Sequence, residues 1–351
     1  MTDLRRQHPG LAQPSMREVA RHAGVAIGTG ANTLNNPEKV RESTRQRVFA
    51  SIDALGFVRN DAARSLAAGT STTIGLVLVD MGNSFFVDIA RGAEAAFRER
   101  GMNLLIANSD VAIEKQAGYL EVFEQARVAG ILLAPLDTRL SGALRTKAVS
   151  RPLVLVNYAS DDGSYSGVVA DERHGGYLAA RHLLELGRTR LVFAGGPFKL
   201  QAVAERLSGV LQAVGETPGA TLQLVETTGM NISHGRSAGV QIIEGSEPRP
   251  DGIVAASDLV AIGIMQVLER SAGWRIPADV AVVGYDNNHF ASESTTPVST
   301  ISQPGEEMGR AAAELLLEEI TEGPSVKRRT VTLQPHLIAR RSTVGDTERP
   351  E

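Results

Sequence analysis

The chain has 351 residues, 42% of them hydrophobic and 22% charged, an ordinary globular composition long enough for two or three packed units. It contains no cysteine, which excludes a disulfide scaffold, a thiol nucleophile and every cysteine-ligated zinc or iron–sulfur centre. The net charge is −4, yet residues 1–70 carry ten Lys/Arg against six Asp/Glu and the remainder sits at −8, the asymmetry expected when one end meets a polyanion.

No apolar run approaches the roughly 20 residues needed to span a bilayer. The start, Met1 to Gly10, has no apolar core of a secretory signal, so the expected location is the cytoplasm.

Residues 1–14 mix proline, glycine and polar residues without periodicity and read as a disordered leader. Ser15-Met-Arg-Glu18 has the spacing of a capping box and predicts a short helix to about His22. Gly24 supplies a turn, and Ile27, Ala31 and Leu34 recur at helical spacing before Asn35-Asn36-Pro37 ends the pattern. Val48, Ile52 and Leu55 predict a third helix, stopped by Gly56. Three such short helices bury their apolar stripes only against one another, and the first two, joined by a glycine turn, have the proportions of a helix-turn-helix. A bundle that merely caps the larger domain would show the same pattern.

From Thr72 onward, β-rich runs alternate with helical ones. Ile74–Val79, Leu104–Ile106, Ile131–Leu133 and Leu153–Val156 are followed by Val168-Val169, Arg190–Phe193, Ile253-Val254 and Val280–Val283. That order predicts parallel sheets with helices on both faces, and so many strands exceed one comfortable sheet, so two similar lobes are expected. The runs end in Asp80, Asn108, Asn157, Asp171, Ser257 and Asp286, at the carboxyl ends of strands where doubly wound sheets bind ligands. Two such edges face to face make a cleft suited to a small polar molecule. Helix capping is the alternative use of the same residues.

Several motifs suggest chemistry without the context it needs. Gly235-Arg-Ser237-Ala-Gly239 matches a nucleophile elbow, but no strand precedes it and a helix continues after it. Gly28-Thr-Gly30 follows no strand and lacks the third glycine of a dinucleotide fingerprint. The histidines at 8, 22, 174, 182, 234, 289 and 336 form no i, i+4 pair, so neither a metal nor another cofactor is expected. Trp274, between a helix and a strand, reads as a ring covering an edge.

Met16–Val25, Leu34–Arg45 and Leu55-Gly-Phe-Val-Arg-Asn60 together resemble the DNA-binding domain of the lactose-repressor (LacI/GalR) family of bacterial transcription regulators. The resemblance continues through Ala63-Arg-Ser-Leu66, Thr73-Ile-Gly-Leu76, Asn83-Ser-Phe-Phe86, Glu205-Arg-Leu-Ser-Gly209, Val283-Gly-Tyr-Asp286 and Ile338–Thr343, covering residues 15 to 343 in order and spacing. It implies an all-α helix-turn-helix head and an α/β two-lobe body similar to periplasmic binding proteins, crossed three times by the chain.

By this resemblance Ile27, Gly28 and Asn32 face the bases of the major groove, while Thr29, Asn35 and Thr44 lie near phosphate or sugar. Asn32 suits an adenine edge and Ile27 a thymine methyl. Residues 61–68 match a hinge helix, with Leu66 wedging into the minor groove and Asn60 and Ala63 near the backbone. About eight residues is below the roughly 12–15 at which an isolated helix becomes marginal, so this segment is expected to form only with a partner hinge and bent DNA. In the body, Arg206 matches the arginine aimed into the cleft and Asp286 the acidic residue facing it. Phe86 and Tyr158 match rings bordering the ligand, with Asn157 and Ser257 completing a polar set.

The second helix departs from the family pattern, with Ala26 at the serine cap and Gly30 and Ala31 where valine and serine are usual. A lost cap costs about 1 kcal/mol, and Gly30 is expected to leave a void between Val19 and Val48. The resulting division is a leader 1–14, a head 15–60, a hinge 61–71, a body 72–343 and a disordered tail 344–351. The expected protein is not an enzyme but a homodimeric regulator of operator DNA, most naturally a repressor, controlled by a sugar-like effector. The alternative is a small-molecule binding protein with a weakened DNA head.

Overall fold

The computed structural model describes residues 14–57, 71–136, 150–160, 162–245 and 248–345, and the chain divides into two units, 1–70 and 71–351. In the first unit, helix α1 (Met16–His22) opens on the capping box that the sequence predicts. Ser15 Oγ accepts from the Glu18 amide at 3.4 Å and the Ser15 amide donates to Glu18 Oε2 at 2.7 Å. Gly24 turns the chain in the left-handed region into α2 (Ile27–Asn35), and α3 (Glu42–Leu55) stops at the left-handed Gly56. Val19, Ala23 and Val48 are buried at the centre of the bundle, with Met16, Val25, Ile52, Leu55 and Phe57 packed around them.

The second unit runs β1 (Thr73–Leu78), α4 (Ser84–Arg98), β2 (Asn103–Asn108), α5 (Ile113–Gln125), β3 (Gly130–Leu133), β4 (Leu153–Val156) and β5 (Ser166–Ala170). It continues with α6 (Glu172–Glu185), β6 (Arg190–Gly195), α7 (Gln201–Gly215), β7 (Thr221–Glu226), α8 (Ile232–Gly245), β8 (Gly252–Ala255) and α9 (Asp258–Ala272). The last elements are β9 (Ala281–Tyr285), α10 (His289–Glu293), β10 (Ser299–Ser302), α11 (Gly305–Glu322), β11 (Thr330–Leu333), β12 (His336–Ile338) and α12 (Arg341–Val344).

Among the described residues these strands form two six-stranded sheets, ordered β11-β5-β4-β3-β1-β2 and β12-β10-β9-β8-β6-β7. All pairs are parallel except β10 with β12. The alternation of side chains along a strand separates the apolar residues of each sheet into two cores. In the first sheet, Ile74, Leu76 and Leu78 face α4 and α11, and Val77, Ile131 and Leu133 face Leu120 and Phe123 of α5. In the second, Val192, Ile253 and Val282 pack with α8 and α9, whereas Phe193, Val254 and Val283 pack with α6 and α7. The chain passes between the lobes three times, at 170–172, 302–305 and 333–336.

Three helix pairs approach so closely that each helix of a pair presents a glycine to the other's backbone. A Cβ on Gly92 of α4 would land on the Glu306 carbonyl and one on Gly309 of α11 on that of Ile89. Gly176 and Gly209 stand likewise against Arg206 and Arg173, joining α6 to α7. Gly235 and Gly263 stand against Val260 and Ile232, joining α8 to α9. The elbow-like Gly235-Arg-Ser-Ala-Gly239 is therefore a packing stripe, with Ser237 on the exposed side of α8 donating to the Ser233 carbonyl at 3.3 Å. Trp274 is 6% exposed and fills the core beneath the end of α9, so it belongs to the packing of the second lobe.

Gly92→Ala should destabilise the body by about 1–3 kcal/mol through overpacking. Gly118→Ala in α5, where the added methyl meets nothing within 4 Å, should stabilise it by up to about 1 kcal/mol. Denaturant midpoints of the two variants should move in opposite directions.

Candidate functional site

The polar centre of the body lies at the carboxyl ends of β8 and β9. Arg206 projects from α7 with 3% of its surface exposed, its backbone seated on Gly176 of α6. Its Nε and Nη2 donate to the two carboxylate oxygens of Glu172 at 2.8 and 3.0 Å, and its Nη1 donates to the Ala256 carbonyl at 2.5 Å. Its Nη2 also stands 3.6 Å from Asp286 Oδ1, and the Tyr285 ring covers its face at 3.8 Å. The reading from sequence left the fork of Arg206 open to a ligand, whereas the structure fills it with Glu172. Burial works against the guanidinium charge, but the Glu172 and Asp286 carboxylates outweigh it and hold the group protonated.

Asp286 joins the lobes. Its Oδ2 accepts from Asn83 Nδ2 at 2.7 Å and its Oδ1 from Gln303 Nε2 at 2.7 Å. Asn83 caps α4 of the first lobe, accepting from the Phe85 amide at 3.1 Å and from Asn288 Nδ2 at 3.1 Å. Beside it Ser84 Oγ accepts from the His289 amide at 3.1 Å, so the start of α4 rests on the loop after β9. That loop is strained, with Asp286 at φ +99° and Asn287 at φ +55°. It is held by the Asn287 amide donating to Thr300 Oγ1 at 3.1 Å and by Arg340 Nη2 donating to Asn287 Oδ1 at 2.7 Å. Burial pushes the Asp286 carboxyl up to about 6, against the pull of Arg206, Asn83 and Gln303. Neighbouring Asp258 is fully buried, accepts from the Asn288 amide at 2.6 Å, and is likewise raised by burial and by the Asp286 charge.

The other residues at strand ends serve mainly as local caps. Asp80 accepts from the Gly82 amide, Asn108 from the amides of Met81 and Asp110, and Asp171 from that of His174. Ser257 accepts from the Val260 amide at 3.3 Å and donates to the Met230 carbonyl at 3.0 Å, which makes it the cap of α9. Asn157 ends β4 at φ +56°, its amide donating to the Val168 carbonyl. Phe86 and Tyr158, expected to border the ligand, are 9% and 8% exposed and belong to separate apolar cores of the first lobe. Arg206 and Asp286 thus come together, while Phe86 and Tyr158 pack in apolar cores, Asn157 turns the backbone and Ser257 caps α9.

In the head, α2 presents Ile27, Gly28, Asn32 and Asn35 on its exposed side and buries Gly30 and Thr33 opposite. Thr29 and Thr44 are half-buried. Ala26 gives the helix no side-chain cap. Gly30 leaves less space than its sequence context implies, because Met16 Sδ stands 3.1 Å and the Ala20 methyl 3.6 Å from where its Cβ would be. The flexible thioether of Met16 on α1 thus stands where a valine side chain would reach. Asn60, Ala63 and Leu66, with the predicted hinge, lie outside the described residues.

Glu172, Asn83, Gln303, Tyr285 and Asn288 received no role from sequence. Asn83 and Tyr285 stand inside motifs that carry the resemblance, and Glu172 is the first residue after the 170–172 crossing, a position that could have marked it.

A carboxyl raised in the folded state binds its proton more tightly there than in the unfolded chain. Its stabilising contribution is complete below the ordinary 3.8 and lost as pH rises through about 6. The stability difference between wild type and Asp286→Asn, measured by urea unfolding, should therefore fall by up to about 3 kcal/mol between pH 4 and 7.

Comparison with known proteins agrees with this arrangement. The LacI family of bacterial regulatory proteins matches residues 15–60, and the periplasmic binding protein-like domain matches residues 180–343. The HTH-type transcriptional repressor PurR of Vibrio atlanticus is 31% identical over 332 residues, 94% of this chain and 98% of its own. The ribose operon repressor of Bacillus subtilis is 32% identical over 310 residues, 88% of this chain and 93% of its own. The solved complex of the transcriptional regulator CelR with cellobiose superposes with a TM-score of 0.69 at 30% identity, covering 94% of this chain and 100% of that one. With a capped three-helix head and a two-lobe body joined at three crossings, the chain belongs to the LacI family and is a ligand-responsive DNA-binding repressor.

Proposed function

We propose that the chain works in the cytoplasm as a homodimer on operator DNA, and that a small sugar or sugar derivative bound between the lobes sets its grip. The observation that carries the effector site is the cross-lobe meeting of Asn83 with Asp286 beside Arg206, at the carboxyl ends of the strands. Effector hydroxyls exchange hydrogen bonds with Asp286, Asn83 and Gln303, with Asn157 and Ser257 on the rim and Phe86 and Tyr158 backing it. Binding there changes the lobe arrangement, and the segment 61–71 passes the change to the head. The relatives named for a ribose operon and solved with cellobiose support a sugar.

On the DNA side, Asn32 and Ile27 of α2 read base edges, and Gly28 lets the helix approach closely. Thr29, Asn35 and Thr44 hold the backbone in the same scheme, while Leu66 wedges into the minor groove with Asn60 and Ala63 near the backbone. The uncapped start of α2 favours a second reading, a binding protein whose head grips DNA weakly. A head that engages phosphates gives a steep negative slope of log affinity against log salt, whereas a weakened one gives a flat line.

Thermal unfolding of the full chain across a panel of sugars and nucleosides should single out a ligand that adds about 2.7 kcal/mol at 100 times its dissociation constant. The same ligand should alter operator affinity in fluorescence anisotropy, and a panel without effect on either readout would overturn the sugar assignment. Ala26→Ser should supply the missing cap, worth about 1 kcal/mol to α2, and tighten operator binding by up to about fivefold where head folding accompanies binding.

A further inference from the structure

Arg206 is already committed to protein partners. Three of its bonds go to Glu172 and the Ala256 carbonyl, its Nη2 also faces Asp286, and Tyr285 closes its face. It is the one buried cation among the described residues; the buried acids Glu172 and Asp286 face it, and buried Asp258 adjoins Asp286. Arg340, the next cation, is half-buried and already donates to the Val298 carbonyl and Asn287 Oδ1. Among the described residues the site therefore offers carboxylates and amides to hydroxyls, and its one buried guanidinium is already faced by two carboxylates.

We propose that Glu172 is a charge filter: by filling the Arg206 fork it restricts the effector to an uncharged sugar and excludes sugar phosphates and sugar acids. This rests on the effector site proposed above. An incoming anion must either sit beside Asp286 and Glu172 unpaired or displace Glu172, which leaves that carboxylate buried without its partner. A neutral polyol meets neither obstacle, because its hydroxyls donate to Asp286 and accept from Asn83 and Gln303. Glu172 is placed by its helix as well as by its pairing with Arg206. It opens α6, where an acidic group suits the positive end of the helix, and Gly176 one turn later seats the Arg206 backbone.

The test compares D-ribose with D-ribose 5-phosphate and D-ribonate, and cellobiose with cellobionate, by thermal shift and calorimetry. Inorganic phosphate is a separate probe, and full-length wild type, Glu172→Gln and Glu172→Ala are measured. In wild type each acidic sugar should bind about tenfold or more weaker than its neutral parent, and phosphate should give no shift. Glu172→Gln should narrow or reverse the gap and acquire a phosphate-dependent stabilisation. Glu172→Ala repeats the measurement should the glutamine variant fold poorly.

An acidic sugar binding wild type as tightly as its parent would overturn the filter, as would a Glu172 variant that discriminates unchanged and ignores phosphate. If no sugar of either kind moves the wild type, the sugar assignment itself fails. The phosphate arm still decides the filter in that event, with no gain in either variant counting against it.

Discussion

A guanidinium with almost no access to water has to be neutralised and fully hydrogen-bonded, and the centre of the body is organised around that requirement at Arg206. The partners come from three places in the chain: Glu172 where the chain enters the second lobe, Ala256 just after β8, and Tyr285 with Asp286 at the end of β9. Removing one partner of such a buried pair typically costs about 3–5 kcal/mol, so these segments are fixed relative to one another far more firmly than their loop positions suggest. The glycine contact between α6 and α7 belongs to the same arrangement. A side chain at Gly176 would push the Arg206 backbone away and move the fork off Glu172.

Asp286 extends this rigid centre to the other lobe. It sits in a backbone region that L-residues seldom adopt, and its two oxygens are divided between Gln303, which precedes the crossing to α11, and Asn83 on the first lobe. Asn83 is itself committed to the start of α4, so the inter-lobe bond connects two structural fixtures. The raised carboxyl of Asp286 follows from that position. Burial raises it, and the Arg206 charge, with the hydrogen bonds from Asn83 and Gln303, keeps it from rising further.

Local features were legible in the sequence. The Ser15/Glu18 box, the stop at Gly56, the alternation of strand and helix, and the polar residues at strand ends all depend on neighbours within a few positions. The pairings that build the site were not, because they join residues far apart in the chain: Asn83 with Asp286, and Glu172 with Arg206. The sequence also left open that the two rings expected beside the ligand lie in apolar cores, where a large side chain gains most from leaving water. The same reason hid the fate of the space at Gly30. Nothing in the order Met16 to Gly30 says that the Met16 thioether lies against Gly30.

Energetically the two kinds of contact differ in a way that suits a switch. The cores and glycine-paired helices lie within each lobe, and the chain links them at three short crossings. What joins the lobes at the site is a small number of hydrogen bonds, from Asn83 to Asp286, from Asn288 to Asn83 and from the His289 amide to Ser84, each worth about 1 kcal/mol net. Parting them therefore costs a few kcal/mol, the same order as the free energy that a small ligand contributes at moderate saturation. A molecule that replaces those bonds with its own hydroxyls can change the lobe arrangement while both sheets stay intact. Had the lobes been joined by an apolar face as extensive as the α4–α11 contact, no small polar ligand could supply enough binding energy to move them.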